Sequence, residues 1–286
     1  MTNLTKLTDT YPLSNGVKVP ILGFGTWQTP DGDVAEASVK AALAAGYRHI
    51  DTATVYGNEV GVGNGIRHSG VAREDIFLTT KLWNTDRGYD NTLAAMDKSL
   101  LALGVDYVDL YLIHWPNPVA HREDWQALNA DTWRAMEAIL KSGKARAIGV
   151  SNFRQHHLEA LFKTAKVMPM VNQIFLNPSD RQAELIAYNT AHGLLNEGYS
   201  PLGTGKIFSV EALQQLAEHY HKSVAQVVLR WSLQHGFVPL PKSVHPERIQ
   251  QNADVFDFEL SADDMAIIDG LHGVAGLAKD PDTRDF

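Results

Sequence analysis

The sequence predicts an α/β protein folded as one (β/α)8 barrel of the TIM type, with an N-terminal β-hairpin and two extra C-terminal helices. Eight short apolar segments recur along the 286 residues, and helical segments lie between them. Alternation of strands and helices indicates a parallel sheet, and eight units in about 250 residues fit a closed barrel. No linker or shift in composition divides the chain, so we expect residues 1–286 to form one domain.

The elements are predicted in chain order. Asn15-Gly16 marks a hairpin at about residues 11–19, before a barrel at about 20–245 and C-terminal helices with a tail at 246–286. Most strand segments are apolar on both faces, which is typical of strands covered on both sides. The predicted strands are residues 20–26, 47–53, 76–82, 107–114, 145–152, 170–175, 194–200 and 237–243.

Helices are predicted from apolar periodicity and from their end signals. The first begins with an acidic cap at Asp33, has Glu36 three residues later, and stops at Gly46. Pro246 suits the first turn of one of the late helices. The predicted helices are residues 33–45, 91–103, 131–142, 155–164, 182–191 and 223–235, followed by 246–253 and 261–271.

Composition excludes several classes of function. Lys plus Arg number 25 and Asp plus Glu number 33, and the net charge of −8 argues against nucleic acid or an anionic membrane as partner. The absence of cysteine excludes disulfides, thiol catalysis and cysteine-bound zinc. The first residues are polar, and no apolar run approaches the roughly 18 residues of a membrane span. We therefore expect a cytoplasmic protein.

Polar residues stand where the predicted strands end, and barrels of this kind carry their chemistry at that face. Asp51 ends the second strand, Tyr56 follows in its loop, Lys81 ends the third strand and His114 ends the fourth. Further polar residues at the ends of later strands are Ser151, Asn152, Gln173, Tyr199, Ser200, Lys242 and Ser243.

Four of these residues suit the reduction of a carbonyl, which needs an acid to protonate the developing alkoxide. A free tyrosine has a pKa of about 10, and a nearby ammonium lowers it. We therefore interpret Tyr56 as the acid, Lys81 as the cation that tunes it, Asp51 as the anchor of Lys81, and His114 as the donor that orients the carbonyl. Taken alone, each residue has an ordinary reading as a helix cap, a rim aromatic, a solvated cation or a buried histidine.

The chain resembles the aldo-keto reductase superfamily from about Tyr11 to its C-terminus. The matching motifs are GFGTW, DTATVYGNE, TKLW, LIHWP, IGVSNF, VNQI, YSPLG and PKSVHPERIQQN. Among the subgroups it is most similar to bacterial members like 2,5-diketo-D-gluconate reductase. The resemblance implies the same roles for the four residues, a small carbonyl substrate, no metal and a monomer.

The resemblance also implies NADPH as cofactor, bound without a Rossmann domain. Neither GVGNGI nor GTGKIF completes a dinucleotide or P-loop motif. Cations at Lys242 and Arg248 beside a helix start at Pro246 suit a phosphate, and His245, where relatives often have Arg or Thr, leaves NADH open. The implied cofactor residues are Thr26, Asp51, Ser151, Asn152, Gln173, Tyr199, Ser200, Leu202, Gly203, Lys242, Ser243, Val244, Arg248, Gln251 and Asn252.

By the same resemblance, an apolar wall surrounds the substrate beside His114, formed by Trp27, Val55, Trp83 and Trp115. NQIFLNPS replaces a more frequent sequence, so Phe175, Leu176 and Asn177 change the wall beside the cofactor with an effect that the sequence leaves open. Two other functions stay open: a Schiff-base aldolase acting through Lys81, and a non-catalytic NADPH-binding regulatory subunit.

Overall fold

A computed structural model of the chain describes residues 5–286. Its strands are β1 Thr10–Pro12, β2 Lys18–Pro20, β3 Phe24–Gly25, β4 His49–Asp51, β5 Phe77–Leu82, β6 Val108–Ile113, β7 Ala145–Ser151, β8 Val171–Phe175, β9 Leu195–Tyr199 and β10 Val238–Leu240. Strands β3 to β10 pair in chain order, and every pair is parallel.

Backbone hydrogen bonds between the two ends of this sheet close it. The Gly23 amide donates to the Pro239 carbonyl at 3.1 Å, and the Gly25 amide donates to the Pro241 carbonyl at 3.0 Å. These bonds link the β3 side to the β10 side, so no edge is left unpaired there. The predicted (β/α)8 barrel is thus confirmed.

Helices cover the outside of the barrel. Helix α1 shows why: its buried residues Ala35, Ser38, Val39, Ala42 and Leu43 recur at three- and four-residue spacings and form one face. The helices are α1 Asp33–Ala44, α2 Glu59–Arg67, α3 Tyr89–Leu103, α4 Trp125–Ser142, α5 Gln155–Phe162, α6 Ala183–Ala191, α7 Glu211–Tyr220, α8 Val224–Gln234, α9 Pro246–Ala253 and α10 Ala262–Asp269. None of the described helices is long and apolar enough to cross a membrane.

Alternation along each strand separates an outer layer from an inner one. In β5, Leu78 and Leu82 join the apolar cluster that the strands form with the helices. Phe77 instead joins a cluster with Leu13 and Val19 of the hairpin, inside the lower end of the barrel. Since Lys81 lies an even number of residues from Phe77, its side chain also faces the interior, but nearer the upper end.

The predicted hairpin is present, and it closes the lower end of the barrel. Strands β1 and β2 pair antiparallel, and Gly16 turns between them with φ of +84°. Asn15 accepts a hydrogen bond from the Val17 amide and donates to the Arg146 carbonyl at 2.9 Å. The turn is therefore attached to β7, and Leu13 and Val19 are buried beneath the strands.

Two helices were absent from the sequence prediction. Helix α2 contains GVGNGI, whose glycines suggested a loop, but close packing requires them. A Cβ on Gly63 would lie 2.1 Å from the Leu103 carbonyl oxygen, and one on Gly65 would lie 2.6 Å from the Val39 side chain. Glycine lets α2 approach both α1 and α3, and this gain outweighs its low helix propensity. Helix α7 was also missed.

Several predicted boundaries were wrong. Gly32, with φ of +72°, is the residue before α1, so Asp33 is the first helical residue and not its cap. Helix α4 begins at Trp125, before the predicted residue 131, and β10 ends at Leu240, before the predicted end at residue 243. Helix α9 occupies the predicted residues 246–253.

Candidate active site

The predicted acid, cation and anchor lie together at the upper end of the barrel. The Lys81 Nζ atom donates to Asp51 Oδ1 at 2.7 Å, to the Thr52 carbonyl at 2.9 Å and to the Tyr56 hydroxyl at 3.3 Å. Lys81 is fully buried, Asp51 is 4% exposed, and Tyr56 is partly exposed. A buried cation therefore joins a buried carboxylate to a phenol that solvent can reach.

Local structure explains how these groups meet. Asp51 pairs with Thr79 in the register of β4 and β5, so Lys81 lies one inward position farther up its strand. Tyr56 ends a short 3₁₀ turn at Thr54–Tyr56, and the Thr54 hydroxyl donates to the Lys81 carbonyl at 3.1 Å. The turn is thus attached to β5, which places the phenol over the ammonium.

The pKa values support a neutral phenol beside a charged lysine. Burial raises the pKa of Tyr56, and Lys81 lowers it by less, so the net shift is upward and not downward as the sequence argument expected. Burial alone would lower the pKa of Lys81, but Asp51 and Tyr56 raise it above its ordinary value. Tyr56 therefore holds its proton at neutral pH, and Lys81 stays charged.

His114 lies next to the phenol. Its ring centroid is 5.8 Å from that of Tyr56 and 5.2 Å from that of Trp83, edge to face in both cases. Burial, together with the charge of Lys81, lowers the pKa of His114 well below 6.5, so the ring is neutral. Its Nδ1 atom is buried and has no hydrogen-bond partner among residues 5–286. A neutral histidine here can bind a carbonyl oxygen without adding a charge.

Trp83 packs against His114, and Trp115 follows His114 in the chain. Trp115 is 9% exposed, Trp83 is partly exposed, and Trp27 and Val55 are 46% and 43% exposed. The sequence did not predict that the C-terminal residue Phe286 packs here. Its ring centroid lies 5.4 Å from that of Trp83 and 5.2 Å from that of Trp115. The mouth of the barrel is therefore an apolar enclosure completed by the tail.

A buried amide continues the polar network below Asp51. Gln173 Nε2 donates to Asp51 Oδ2 at 2.8 Å and to Glu197 Oε2 at 3.0 Å. Glu197 is fully buried, and burial raises its pKa to about 8. Sequence reasoning missed Glu197, although an acid inside the apolar run LLNEGYS was the available signal.

The predicted nicotinamide residues form one chain of hydrogen bonds. Tyr199 donates to Asn152 Oδ1 at 2.8 Å, and Asn152 Nδ2 donates to the His114 carbonyl at 3.0 Å and to Ser151 Oγ at 3.1 Å. Ser151 in turn donates to the Gln173 carbonyl at 2.8 Å. Because Gln173 Nε2 is engaged by two acids, a carboxamide would have to use its Oε1 atom. Thr26 donates to the Asp51 carbonyl at 2.9 Å.

The loop after β9 has the backbone expected of a close approach to a ligand. Ser200 has φ of +50° and Gly203 has φ of +54°, and between them lies Leu202. Asn177 donates to the Ser200 carbonyl at 3.0 Å, which holds this turn. The substitution that the sequence left unexplained therefore supports the loop after β9, while Phe175 packs 5.9 Å from the Tyr199 ring.

The predicted phosphate residues gather at the start of α9. Within residues 5–286, neither Lys242 nor Arg248 has a carboxylate oxygen within 4.0 Å, whereas the neighbouring Glu247 lies 3.8 Å from His245. Arg248 is exposed, and Pro246 is the first residue of the helix. Two unpaired cations beside a helix N-terminus fit a phosphate group. Other predicted residues here are Ser243, which is 8% exposed, Val244, partly exposed, Gln251, exposed, and Asn252, 5% exposed.

A cluster of His156, His157 and Asp282 attaches the tail to α5. All three ligand atoms lie within 4.8 Å of one another, close enough for a metal ion. However, the Arg154 amide donates to His157 Nδ1 at 3.2 Å, so the proton of the neutral ring is on Nε2, which donates to Asp282 Oδ1 at 2.9 Å. A metal on Nε2 would have to displace that proton. The geometry therefore favours a hydrogen-bonded anchor.

The sequence profile of the Aldo/keto reductase family matches residues 21–272. Glyoxal reductase from Bacillus subtilis is 52% identical over 282 residues, which cover 99% of each chain. An aldo/keto reductase from Brucella melitensis has a TM-score of 0.87 at 48% identity, covering 93% of this chain and 98% of that one. A mutant of Gox0644 in complex with NADPH has a TM-score of 0.88 at 40% identity, covering 98% and 99%.

Proposed function

The chain belongs to the aldo/keto reductase family, and on that premise we propose that it reduces aldehydes and ketones to alcohols with NADPH, Tyr56 being the general acid. The observation that supports this most is the position of the Lys81 ammonium between Asp51 and the Tyr56 hydroxyl. NADPH, when bound, supplies the hydride. The protein must then provide the proton and stabilise the charge that the proton leaves behind.

Proton transfer follows from the geometry. As the carbonyl carbon is reduced, negative charge develops on its oxygen, and the Tyr56 hydroxyl donates its proton there. An alkoxide is a much stronger base than a phenolate, so this transfer is favourable even though burial raises the pKa of Tyr56. Lys81 stabilises the resulting phenolate at 3.3 Å, and Asp51 keeps Lys81 charged and in place.

His114 orients the substrate in this proposal. Its neutral ring donates a hydrogen bond to the carbonyl oxygen, and its T-shaped packing against Tyr56 and Trp83 sets the direction of that bond. The rest of the substrate is enclosed by Trp27, Val55, Trp83 and Trp115. The enclosure excludes water, which strengthens the electrostatic interactions at the carbonyl oxygen.

We propose that NADPH lies across the upper end of the barrel. Ser151, Asn152, Gln173 and Tyr199 would hold the nicotinamide, and the turn at Ser200, Leu202 and Gly203 would follow the pyrophosphate. Lys242, Ser243, Val244, Arg248, Gln251 and Asn252 would bind the adenosine 2′-phosphate end. The complex of Gox0644 with NADPH supports this cofactor. We further propose a cytoplasmic monomer.

Replacing Arg248 with alanine tests the phosphate assignment. Because NADH lacks the 2′-phosphate, we expect Arg248→Ala to weaken NADPH binding about tenfold and NADH binding less than twofold, an effect typical of a charged hydrogen bond. Fluorescence titration of both cofactors measures this. Arg134→Ala, an exposed change on α4, is the control and should alter neither affinity. Equal weakening of both cofactors by Arg248→Ala would place the phosphate elsewhere.

The reaction itself is tested by a panel of aldehydes, keto acids and keto sugars, with the absorbance of NADPH followed and NADH run in parallel. Turnover of simple aldehydes would dismiss a purely regulatory subunit. A Schiff-base aldolase is disfavoured because the pKa of Lys81 is raised and its ammonium is held by Asp51. Borohydride reduction in the presence of substrate would attach substrate to Lys81 only if that aldolase reading were correct.

A further inference from the structure

The last residues of the chain are held across the mouth of the barrel by their backbone and by Asp282. Asp282 accepts hydrogen bonds from Asn117 at 2.8 Å and from His157 at 2.9 Å. The Arg122 guanidinium donates to the Arg284 carbonyl, and the Val119 amide donates to the Phe286 carbonyl at 3.3 Å. These contacts hold the backbone around residue 284 in place.

The Arg284 side chain lies against the apolar wall of the mouth. The guanidinium carbon of Arg284 lies 4.3 Å from the centroid of the Phe286 ring and 5.6 Å from that of Trp115. Both rings belong to the enclosure beside His114. Burial raises the pKa of Tyr199, and the charge of Arg284 opposes that rise, which agrees with a cation near the site. Arg284 is therefore a cation at the edge of the proposed substrate position.

This cation is not paired within the part of the chain that the structure describes. No carboxylate oxygen among residues 5–286, including that of the C-terminus, lies within 4.0 Å of its nitrogens. Its Nε atom is buried and has no hydrogen-bond partner there. The guanidinium carbon lies over the two rings, and no hydrogen bond donated by the guanidinium nitrogens is found among residues 5–286. Those donors match the geometry of a carboxylate.

We propose that Arg284 binds a carboxylate on the substrate, so that the enzyme prefers aldehydes and ketones that carry an acid group. The carbonyl oxygen lies at Tyr56 and His114, and the acid group lies under the tail. The net charge of −8 repels anions in general, so a local cation is needed to admit them. This inference rests on the proposed function and names the substrate class for that site.

A matched pair of substrates tests it. 4-Carboxybenzaldehyde and its neutral methyl ester share one frame and one reacting carbonyl, so a change between variants in the ratio of their kcat/KM values with NADPH reports the charge. We expect Arg284→Gln to lower this ratio about tenfold and Arg284→Lys about threefold, since lysine keeps the charge but not the forked donors. Arg134→Gln removes the same charge from an exposed site on α4 and should leave the ratio unchanged. The parent's ratio should also fall as salt is added.

Each other outcome has a definite meaning. If Arg284→Gln slows both substrates equally, Arg284 only packs against Trp115 and Phe286, and the inference is overturned. If the ratio is unchanged but the KM for NADPH rises, the cation contacts the cofactor, and the inference is again overturned. If the parent oxidises NADPH with neither substrate nor any aldehyde, the proposed function itself fails. A ratio is used because loss of folded protein affects both substrates alike.

Discussion

Two buried carboxylates at opposite ends of the barrel have opposite surroundings. At the lower end, Asp109 is 1% exposed and accepts hydrogen bonds from Arg73 at 2.9 Å, Arg146 at 2.7 Å and the Leu78 amide at 2.9 Å. At the upper end, Asp51 is 4% exposed, and within residues 5–286 Lys81 is the only cation within 4.0 Å of it. The lower carboxylate thus has two cations, whereas the upper one shares its single cation with a phenol.

The difference separates a structural ion pair from a chemical one. Arg73 donates to Asp109 and to the Ile76 and Tyr107 carbonyls, and Arg146 donates to Asp109, so the lower site joins β5, β6 and β7. Lys81 directs a third donor to the Tyr56 hydroxyl, which is partly exposed. The same chemical groups therefore stabilise the fold at one end and can stabilise a phenolate at the other.

Removing the phenol should give the largest effect and should leave the fold intact. We expect Tyr56→Phe to lower kcat about a thousandfold, since a general acid typically contributes 10²–10⁴-fold, and to leave NADPH affinity within a few-fold. Stopped-flow or steady-state assays with a simple aldehyde measure this, and fluorescence titration measures the affinity.

Tyr89→Phe is the matched control, because Tyr89 is the first residue of α3 and its ring packs beneath Arg134. It should keep turnover within twofold. Unchanged turnover in Tyr56→Phe would mean that another group supplies the proton. The Lys81–Asp51 pair at the upper end would then have no role in proton transfer, and the two ends of the barrel would not differ in function.

The lower carboxylate should show the reverse behaviour. Asp109→Asn places an amide donor against guanidinium donors, so we expect it to lower the free energy of unfolding by about 3 kcal/mol, as for a broken buried pair, with kcat/KM within threefold. Urea unfolding measures the first quantity and the NADPH assay the second. Asp97→Asn, which breaks the exposed pair with Lys144, should cost less than about 0.5 kcal/mol. A large loss of activity in folded Asp109→Asn would show that the two ends are coupled.

The sequence predicted the upper site better than the lower one for a physical reason. Asp51, Lys81 and His114 stand at or near the ends of apolar strands, and the topology of a parallel barrel brings all such ends to one rim. Asp109 lies within a buried strand, and its partners come from a turn and from the next strand. Nothing in the spacing of Arg73 and Arg146 indicates that they meet there.

The sequence did not predict that the tail packs at the mouth or that α2 is a helix, because both depend on tertiary contacts. Arg284 and Phe286 are held at the mouth by residues far from them in sequence, which are Asn117, Val119, Arg122 and His157. The glycines of α2 indicate a loop by propensity, but they are required where helices approach closely. Strand and helix periodicity therefore predicted the barrel, whereas long-range packing determines which residues close its mouth.

A third buried carboxyl sharpens the comparison because no Lys or Arg nitrogen of residues 5–286 lies within 4.0 Å of it. Glu197 accepts a hydrogen bond from Gln173, and its Oε1 atom lies 4.0 Å from His49, whose pKa burial lowers to about 3. Burial and, to a smaller extent, Asp51 raise the pKa of Glu197, and Lys81 opposes the rise. The resulting pKa is about 8. Glu197 is therefore mostly protonated at neutral pH.

Replacing Glu197 with glutamine should consequently change stability in a pH-dependent way. Between pH 4.5 and 8 the unfolded chain loses the Glu197 proton while the folded chain keeps it, so the parent's free energy of unfolding falls as pH rises through this window. Glu197→Gln has no such proton and keeps an acceptor for Gln173. We expect the stability of the variant relative to the parent to increase by about 3 kcal/mol from pH 5 to pH 7.5 in urea unfolding. The same difference at both pH values would mean that Glu197 is ionised in the folded barrel despite its burial.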